Sequence, residues 1–359
     1  MPSTTNVINA NAELSAIFYN DPAFGKKYQL VAKSVSLPKY GGESTVHPDL
    51  IPFPNHPRKV VMAYTPEHPN TSENMCLVYA SLENLKKWSP QLWSNPLISY
   101  DSKIPWKQKH LSDFCLLYVP ETQKWWTWFS PAGSPEYGCQ IAYGLSHDGI
   151  EWCDDFPENP VFRANREQNN WEYDFVRAPS VLWNRRTQKF EMFYDNLDSG
   201  WVKPARLCRA ESTDGIHWSN RAIIYDPQIN DESTNAIHPC VRYFAGQYWC
   251  WFPKYYGDLW LMVSKTGLPG DWSEPTMVIP RKRVWGSTIY RVGVLIDSEY
   301  KIHVMVSYFG RSYKTNFHQR YLIAYFISEL SPVGKEALHK SNQQINDFDF
   351  GGSIINNYL

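Results

Sequence analysis

The chain has 359 residues, enough for a well-buried core, and its 35 Lys and Arg nearly balance 36 Asp and Glu, leaving a formal net charge of −1. That balance, without a long basic run, excludes a nucleic-acid footprint, and no apolar stretch of about 18 residues is present to span a membrane as a helix. Aromatic residues reach 16%; they suit the space between stacked sheets and also flat, half-wet surfaces that stack on sugar rings.

Residues 1–25 are polar and weakly patterned and read as an arm or short helix. The first ten lack the basic start and apolar segment of a signal peptide, so a cytoplasmic location is expected, with a phage-associated or otherwise released protein as the alternative. Six of the seven cysteines (Cys76, Cys115, Cys139, Cys208, Cys240 and Cys250) fall in apolar strands without metal-site spacing, and read as reduced core thiols. Residues 27–37 read as a strand.

From Thr45 onward one plan recurs. First strands begin near His47-Pro-Asp-Leu-Ile, Ser112-Asp-Phe-Cys-Leu, Arg177-Ala-Pro-Ser-Val, Ile237-His-Pro-Cys-Val and Ile289-Tyr-Arg-Val-Gly. Second strands follow at Val60-Val-Met-Ala-Tyr, Trp125-Trp-Thr-Trp-Phe, Phe190-Glu-Met-Phe-Tyr, Tyr248-Trp-Cys-Trp-Phe and Ile302-His-Val-Met-Val. Third strands lead into a polar turn that ends on Trp, cleanest in Ser146-His-Asp-Gly-Ile-Glu-Trp152 and Ser212-Thr-Asp-Gly-Ile-His-Trp218. Asp-Gly supplies the positive-φ turn. Because these turns recur blade after blade, they are assigned to architecture. Outer strands are expected at Asn95-Pro-Leu-Ile and Asn159-Pro-Val-Phe.

Five such units at a period of about 50–65 residues predict an all-β, five-bladed β-propeller of four-stranded antiparallel blades. A two-sheet sandwich gives no reason for five copies. The expected organisation is an N-terminal arm and strand over 1–44, the propeller over 45–331, and a C-terminal helix and tail over 332–359. Either residues 27–37 or the tail around 351–355 closes the fifth blade.

In a propeller the first strands line the channel, and one mouth gathers their entries with the second-to-third strand connections. That geometry nominates His47, Asp49, Asp113, Asp174, Arg177, His238 and Arg291 from the entries. Second-strand ends add Tyr64, Ser130, Asp195, Lys254 and Tyr308, and the first-blade loop adds Glu73 and Asn74. Carboxylates among Arg, His and aromatic side chains are what glycosidic cleavage requires: a base or nucleophile, an acid of raised pKa, and donors for hydroxyls.

Pro-Asp-Leu-Ile opening the first blade and Ser-Asp-Phe opening the second resemble the five-bladed glycosidases of glycoside hydrolase families 43 and 32, over roughly residues 45–330. The resemblance implies Asp49 as base or nucleophile and Asp113 as a residue holding substrate or a catalytic neighbour. The third-blade acidic motif stands here as Arg177-Ala178-Pro179, and the fourth-blade Glu position is Ile237. The acid must therefore come from elsewhere, with Glu73, Asp195, Glu232 or His238 as candidates.

The expected catalytic set is Asp49, Glu73 and Asp113, with Arg177, His238, Asp195, Tyr64, Lys254 and Arg291 binding substrate. The expected partner is an oligo- or polysaccharide, with neither nucleic acid nor membrane. No metal ligand is assigned and no cofactor is expected, beyond a structural channel cation such as calcium. A catalytically silent carbohydrate-binding propeller and a protein-interaction propeller are the competing classes, with sialidase a minor alternative.

Overall fold

The computed structural model describes residues 13–345 apart from 39, 41–43, 57, 67–72, 134–138, 170, 199–203, 228–234, 255–256, 285–287 and 311–319. Glu232 and the tail segment 351–355 lie outside the described residues. A helix, α1, covers residues 13–20. It precedes β1 (Gln29–Ala32) and a first blade of β2 (Val46–Pro52), β3 (Lys59–Thr65) and β4 (Cys76–Ser81). Blade 2 comprises β5 (His110–Val119), β6 (Lys124–Ala132) and β7 (Ala142–Ser146). Blade 3 comprises β8 (Phe175–Asn184), β9 (Lys189–Leu197), β10 (Arg206–Ser212) and β11 (Ser219–Tyr225). Blade 4 comprises β12 (Cys240–Phe244), β13 (Gln247–Pro253), β14 (Leu259–Ser264) and β15 (Thr276–Ile279). Blade 5 comprises β16 (Ile289–Ile296), β17 (Ile302–Gly310) and β18 (Arg320–Ser328), and the helix α2 (Pro332–Ile345) follows.

The fold is the expected five-bladed propeller. Its fifth blade has the order β1-β18-β17-β16, with Gln29 opposite Ile327 and Leu30 opposite Phe326. The strand that closes the ring therefore comes from the N-terminal side and pairs with a strand almost three hundred residues away in sequence. The inner strands are near-continuous apolar runs, as in β3 and β13, so each sheet has two apolar faces, and each face packs on the next blade. Trp126, Trp128 and Cys115 of blade 2 meet Val181, Met192 and Cys208 of blade 3. Val61 and Ala63 of blade 1 meet Phe114 and Phe129 of blade 2. Leu14 and Phe18 of α1 and Leu338 of α2 join the core between blades 4 and 5.

Blades 1 and 2 depart from the expected four strands: each sheet has three. The Asn95-Pro96 and Asn159-Pro160 segments make only isolated bridges to them, Met75 to Ile98 and Ile141 to Phe162. Proline cannot donate to a ladder, and the asparagine side chain substitutes for the missing backbone pairing. Asn95 Oδ1 accepts from Leu77 N–H at 2.9 Å while its Nδ2 donates to the Leu77 carbonyl at 2.8 Å. Asn159 makes the same pair with Tyr143, at 2.9 and 2.8 Å.

The Ser-x-Asp-Gly turns are architectural. In the second blade, Asp148 Oδ1 accepts from the N–H groups of Ile150 and Glu151, and Ser146 Oγ accepts from Gly149 N–H. Gly149 has φ 76° and lies so close to the Trp125 ring that a Cβ would meet it at 2.6 Å. The turn is thus pressed onto the second strand, and Trp93 of the preceding blade's outer segment donates to the Gly149 carbonyl at 2.7 Å.

Candidate active site

Four first strands enter the channel through the same backbone distortion. His47, Asp113, Ala178 and His238 all have positive φ, at 56°, 58°, 52° and 50°. In three of the four the ladder register slips at that point, between Val46 and Asp49, Ser112 and Cys115, and Arg177 and Ser180. An L-residue in this region costs on the order of 1–2 kcal/mol. The bulge re-aims one side chain per blade toward the axis, so the four slots hold His, Asp, Ala and His.

Asp113 is the centre of the cluster and is buried. Arg291 Nη1 of blade 5 donates to its Oδ1 at 2.8 Å, and Ser112 Oγ donates to its Oδ2 at 3.2 Å. The Nε2 atoms of His47 and His238 stand 3.5 and 3.6 Å from the same Oδ1. Burial would raise the Asp113 pKa, but the guanidinium groups of Arg291 and Arg177, joined by the His47 and His238 rings whenever these are protonated, outweigh it and hold the carboxyl far below the usual range. Because the two arginines are always charged, Asp113 is an anion at every working pH.

His238 Nδ1 lies 2.7 Å from the Tyr290 carbonyl, which only accepts, so Nδ1 carries the proton. Burial, reinforced by Arg177 and Arg291 against the pull of Asp113, lowers its pKa to about 3 and keeps the ring neutral. Its Nε2 lone pair therefore faces a carboxylate oxygen, Asp113 Oδ1, 3.6 Å away.

Asp195, at the end of β9, is the counterpart of Asp113. Its Oδ1 accepts from Arg177 Nε at 2.9 Å and its Oδ2 from His238 N–H at 2.9 Å. Burial raises its pKa; Arg177 and the His238 N–H oppose this, Asp113 adds to it, and the result is about 6. Two carboxylates around one arginine are thus driven in opposite directions.

The structure gathers Asp113, Arg177, Asp195, His238 and Arg291 into this cluster and adds His47. Glu73 is fully buried beside it, with Oε2 3.8 Å from His110 Nε2, and acts electrostatically on Tyr290. Asp49 lies deeper than the mouth. The bulge at His47-Pro48 gives the mouth slot to His47, and Asp49 is held inside the channel by Arg242 Nη2 at 2.7 Å and Leu116 N–H at 2.7 Å.

Tyr64 is a core residue, not a mouth residue: it is fully buried and its hydroxyl donates to the Pro38 carbonyl at 2.8 Å. Lys254 lies 4.1 Å from the centroid of the Trp260 ring. Asp174 pairs with Arg166 at 2.7 Å on the surface. Cys139, expected in the core, is half-buried and within electrostatic reach of Arg177, Asp113 and Asp195.

Two residues escaped the sequence reasoning. Tyr290, in the entry to blade 5, has ring contacts at 5.6 Å to His47, 4.6 Å to His238 and 5.2 Å to Tyr321. It occupies the same place in the repeat as the nominated residues, and that register was the available signal. Arg242 spans the channel, donating also to the Val294 carbonyl at 2.8 Å; a lone arginine within an apolar first strand was its signal. Among the described residues no group of three His, Cys, Asp or Glu side chains is arranged to hold a metal ion.

No protein-family model and no curated protein matches the sequence. Solved structures do match its fold. An N-acetylgalactosamine deacetylase from F. plautii, in complex with blood group B trisaccharide, superposes with a TM-score of 0.63 at 17% identity, covering 87% of this chain and 97% of that one. A thermostable family-43 glycoside hydrolase gives a TM-score of 0.60 at 12% identity, over 84% and 94% of the two chains. Zg3597, a family 117 glycoside hydrolase from the marine bacterium Zobellia galactanivorans, gives 0.57 at 12% identity, over 86% and 92%. The chain therefore shares the five-bladed propeller fold of these glycan-active enzymes.

Proposed function

We propose that this protein hydrolyses a glycosidic bond in an oligo- or polysaccharide bound at the channel mouth. The observation that carries the reading is the pair of buried carboxylates brought together at the mouth, Asp113 on Arg291 and Asp195 on Arg177, whose surroundings drive their pKa values in opposite directions. Such pairs divide labour between a fixed anion and a proton donor. A carboxylate held as low as Asp113 is a weak proton acceptor, so its role is to stabilise positive charge developing at the anomeric carbon, or to attack it. Asp195 delivers a proton to the leaving oxygen, and the carboxylate left behind takes the proton of the water that then bonds to the anomeric carbon. Arg177, Arg291, His47 and His238 position sugar hydroxyls, and Tyr290, whose hydroxyl burial keeps protonated, adds a donor. In this reading Asp49 is a structural anion paired with Arg242, and Glu73 supports the site from beside Tyr290.

The test is turnover on a panel of glycans and aryl glycosides. Asp113→Asn loses at least about 100-fold in kcat on every substrate, and Asp195→Asn loses a similar factor where the leaving group needs protonation. Undiminished turnover in Asp113→Asn would end the assignment. Because one structural neighbour is named as a deacetylase, released acetate is measured beside released reducing ends; acetate alone would replace glycosidic cleavage with ester or amide hydrolysis.

A second reading, glycan binding without chemistry, is favoured by one observation. Both Asp195 oxygens and both Asp113 oxygens already accept hydrogen bonds within the protein. Binding by calorimetry with no product over long incubation selects it.

A further inference from the structure

The second strands of blades 1, 2 and 3 carry a polar side chain at one register. Thr65 stands opposite Val46, Ser130 opposite Ser112 and Asp195 opposite Arg177, in each case the residue just before the positive-φ slot of that blade. From blades 2 and 3 this side chain reaches the slot of the next blade. Ser130 Oγ accepts from Ala178 N–H at 2.8 Å, and Asp195 Oδ2 accepts from His238 N–H at 2.9 Å. Ser130 does for blade 3, without a charge, what Asp195 does for blade 4.

The β8 register slips between Arg177 and Ser180, which takes Ala178 N–H out of the ladder with β9. Ala178 is fully buried, and a donor left unpaired there would carry a desolvation penalty. Ser130, itself buried, is the acceptor. That N–H belongs to the planar peptide unit joining Arg177 to Ala178, so holding it fixes the Arg177 ψ together with the Ala178 φ of 52°. Arg177 is the residue whose Nε donates to Asp195 Oδ1 at 2.9 Å.

We propose that Ser130 is a positioning residue: by holding the Arg177–Ala178 peptide it keeps the Arg177 guanidinium on Asp195. Its bearing on turnover rests on Asp195 as the proton donor. The groups that face Asp195 are Arg177 of β8, Asp113 of β5, His238 with its neutral ring, and the Cys139 and Cys208 thiols, which burial keeps protonated. Among these groups Arg177 is the cation, and it opposes the upward pull of burial and of Asp113 on the Asp195 carboxyl. When its grip loosens, Asp195 keeps its proton to higher pH.

Carbon NMR of the full chain labelled at the aspartate carboxyls, with the Asp195 resonance identified by its loss in Asp195→Asn, reads that titration without any substrate. Ser130→Ala moves it up by about one pH unit and Arg177→Gln moves it further. Added to Arg177→Gln, Ser130→Ala has little further effect, because both act through one guanidinium. Ser130→Cys, of similar size but a weaker acceptor, moves the titration in the same direction, and Ser130→Thr, which keeps the hydroxyl, titrates as wild type. The basic limb of kcat/KM follows the resonance. The proposal is overturned if Ser130→Ala and Ser130→Cys leave the Asp195 titration where it was, or if Ser130→Ala moves it equally in the Arg177→Gln background. If the resonance moves as expected while the kcat/KM limb stays in place, Ser130 positions Arg177 as proposed and it is Asp195 as the acid that fails.

Discussion

Asp49 and Arg242 form a buried pair at 2.7 Å, with side-chain exposures of 5% and 2%. Removing one partner of such a pair strands the other charge in the interior, at a cost of about 3–5 kcal/mol. Asp49→Asn is therefore expected to lower unfolding free energy by that amount in urea titration. The double change with Arg242→Met recovers most of the loss, because both charges are then gone. Turnover per folded molecule falls little in either variant. A stable Asp49→Asn protein without turnover would instead restore Asp49 to the chemistry that the Pro-Asp-Leu-Ile resemblance implies. Strand alternation alone could not reveal the bulge at His47-Pro48, which changes which side chain faces the mouth. By contrast, Asp113, Arg177, Asp195, His238 and Arg291 were legible as strand entries or strand ends. Their pairings were not, because Arg291 reaches Asp113 across 178 residues of sequence.

At the scale of elements, the repeat made the blades legible: apolar runs joined by short turns recur in all five units, and a polar corner closing on Trp recurs in four, with Asp-Gly in two of them. What the pattern could not convey was that an asparagine amide replaces a strand in blades 1 and 2. Asn159→Leu removes both bonds to Tyr143, leaving that backbone N–H and C=O to find other partners, and is expected to cost about 1–3 kcal/mol in chemical denaturation. A second element-level test is Gly149→Ala, which places a methyl group against Trp125 at a φ of 76°. Packing and backbone terms both oppose it, and thermal melting shows a fall of several degrees, whereas an unchanged melt would mean that the corner is not pressed onto Trp125.

For the whole molecule, ring closure through β1 explains how distant parts of the chain support one site. A chain lacking residues 1–33 exposes the β18 edge to its full length and is expected to aggregate or melt well below the intact protein. Stability against pH reflects the mouth as a whole. His238 is depressed from 6.5 to about 3, so its contribution is complete above 6.5 and is lost as pH falls toward 3. Asp195 is raised from 3.8 to about 6, so its contribution is complete below 3.8 and is lost as pH rises through 6. The two oppose each other between 3.8 and about 6. Asp195→Asn is thus expected to steepen the fall in melting temperature from pH 6 to pH 4, and His238→Gln to flatten it. The division of labour between Asp113 and Asp195 is tested most directly by the pH profile of kcat/KM on a glycoside whose leaving group needs a proton, for wild type and Asp195→Asn. The wild-type rate should decline as pH rises above about 6, as Asp195 loses its proton. The variant should be slower by about 100-fold or more and lack that decline. An unchanged basic limb in Asp195→Asn, at near wild-type rate, would contradict the account.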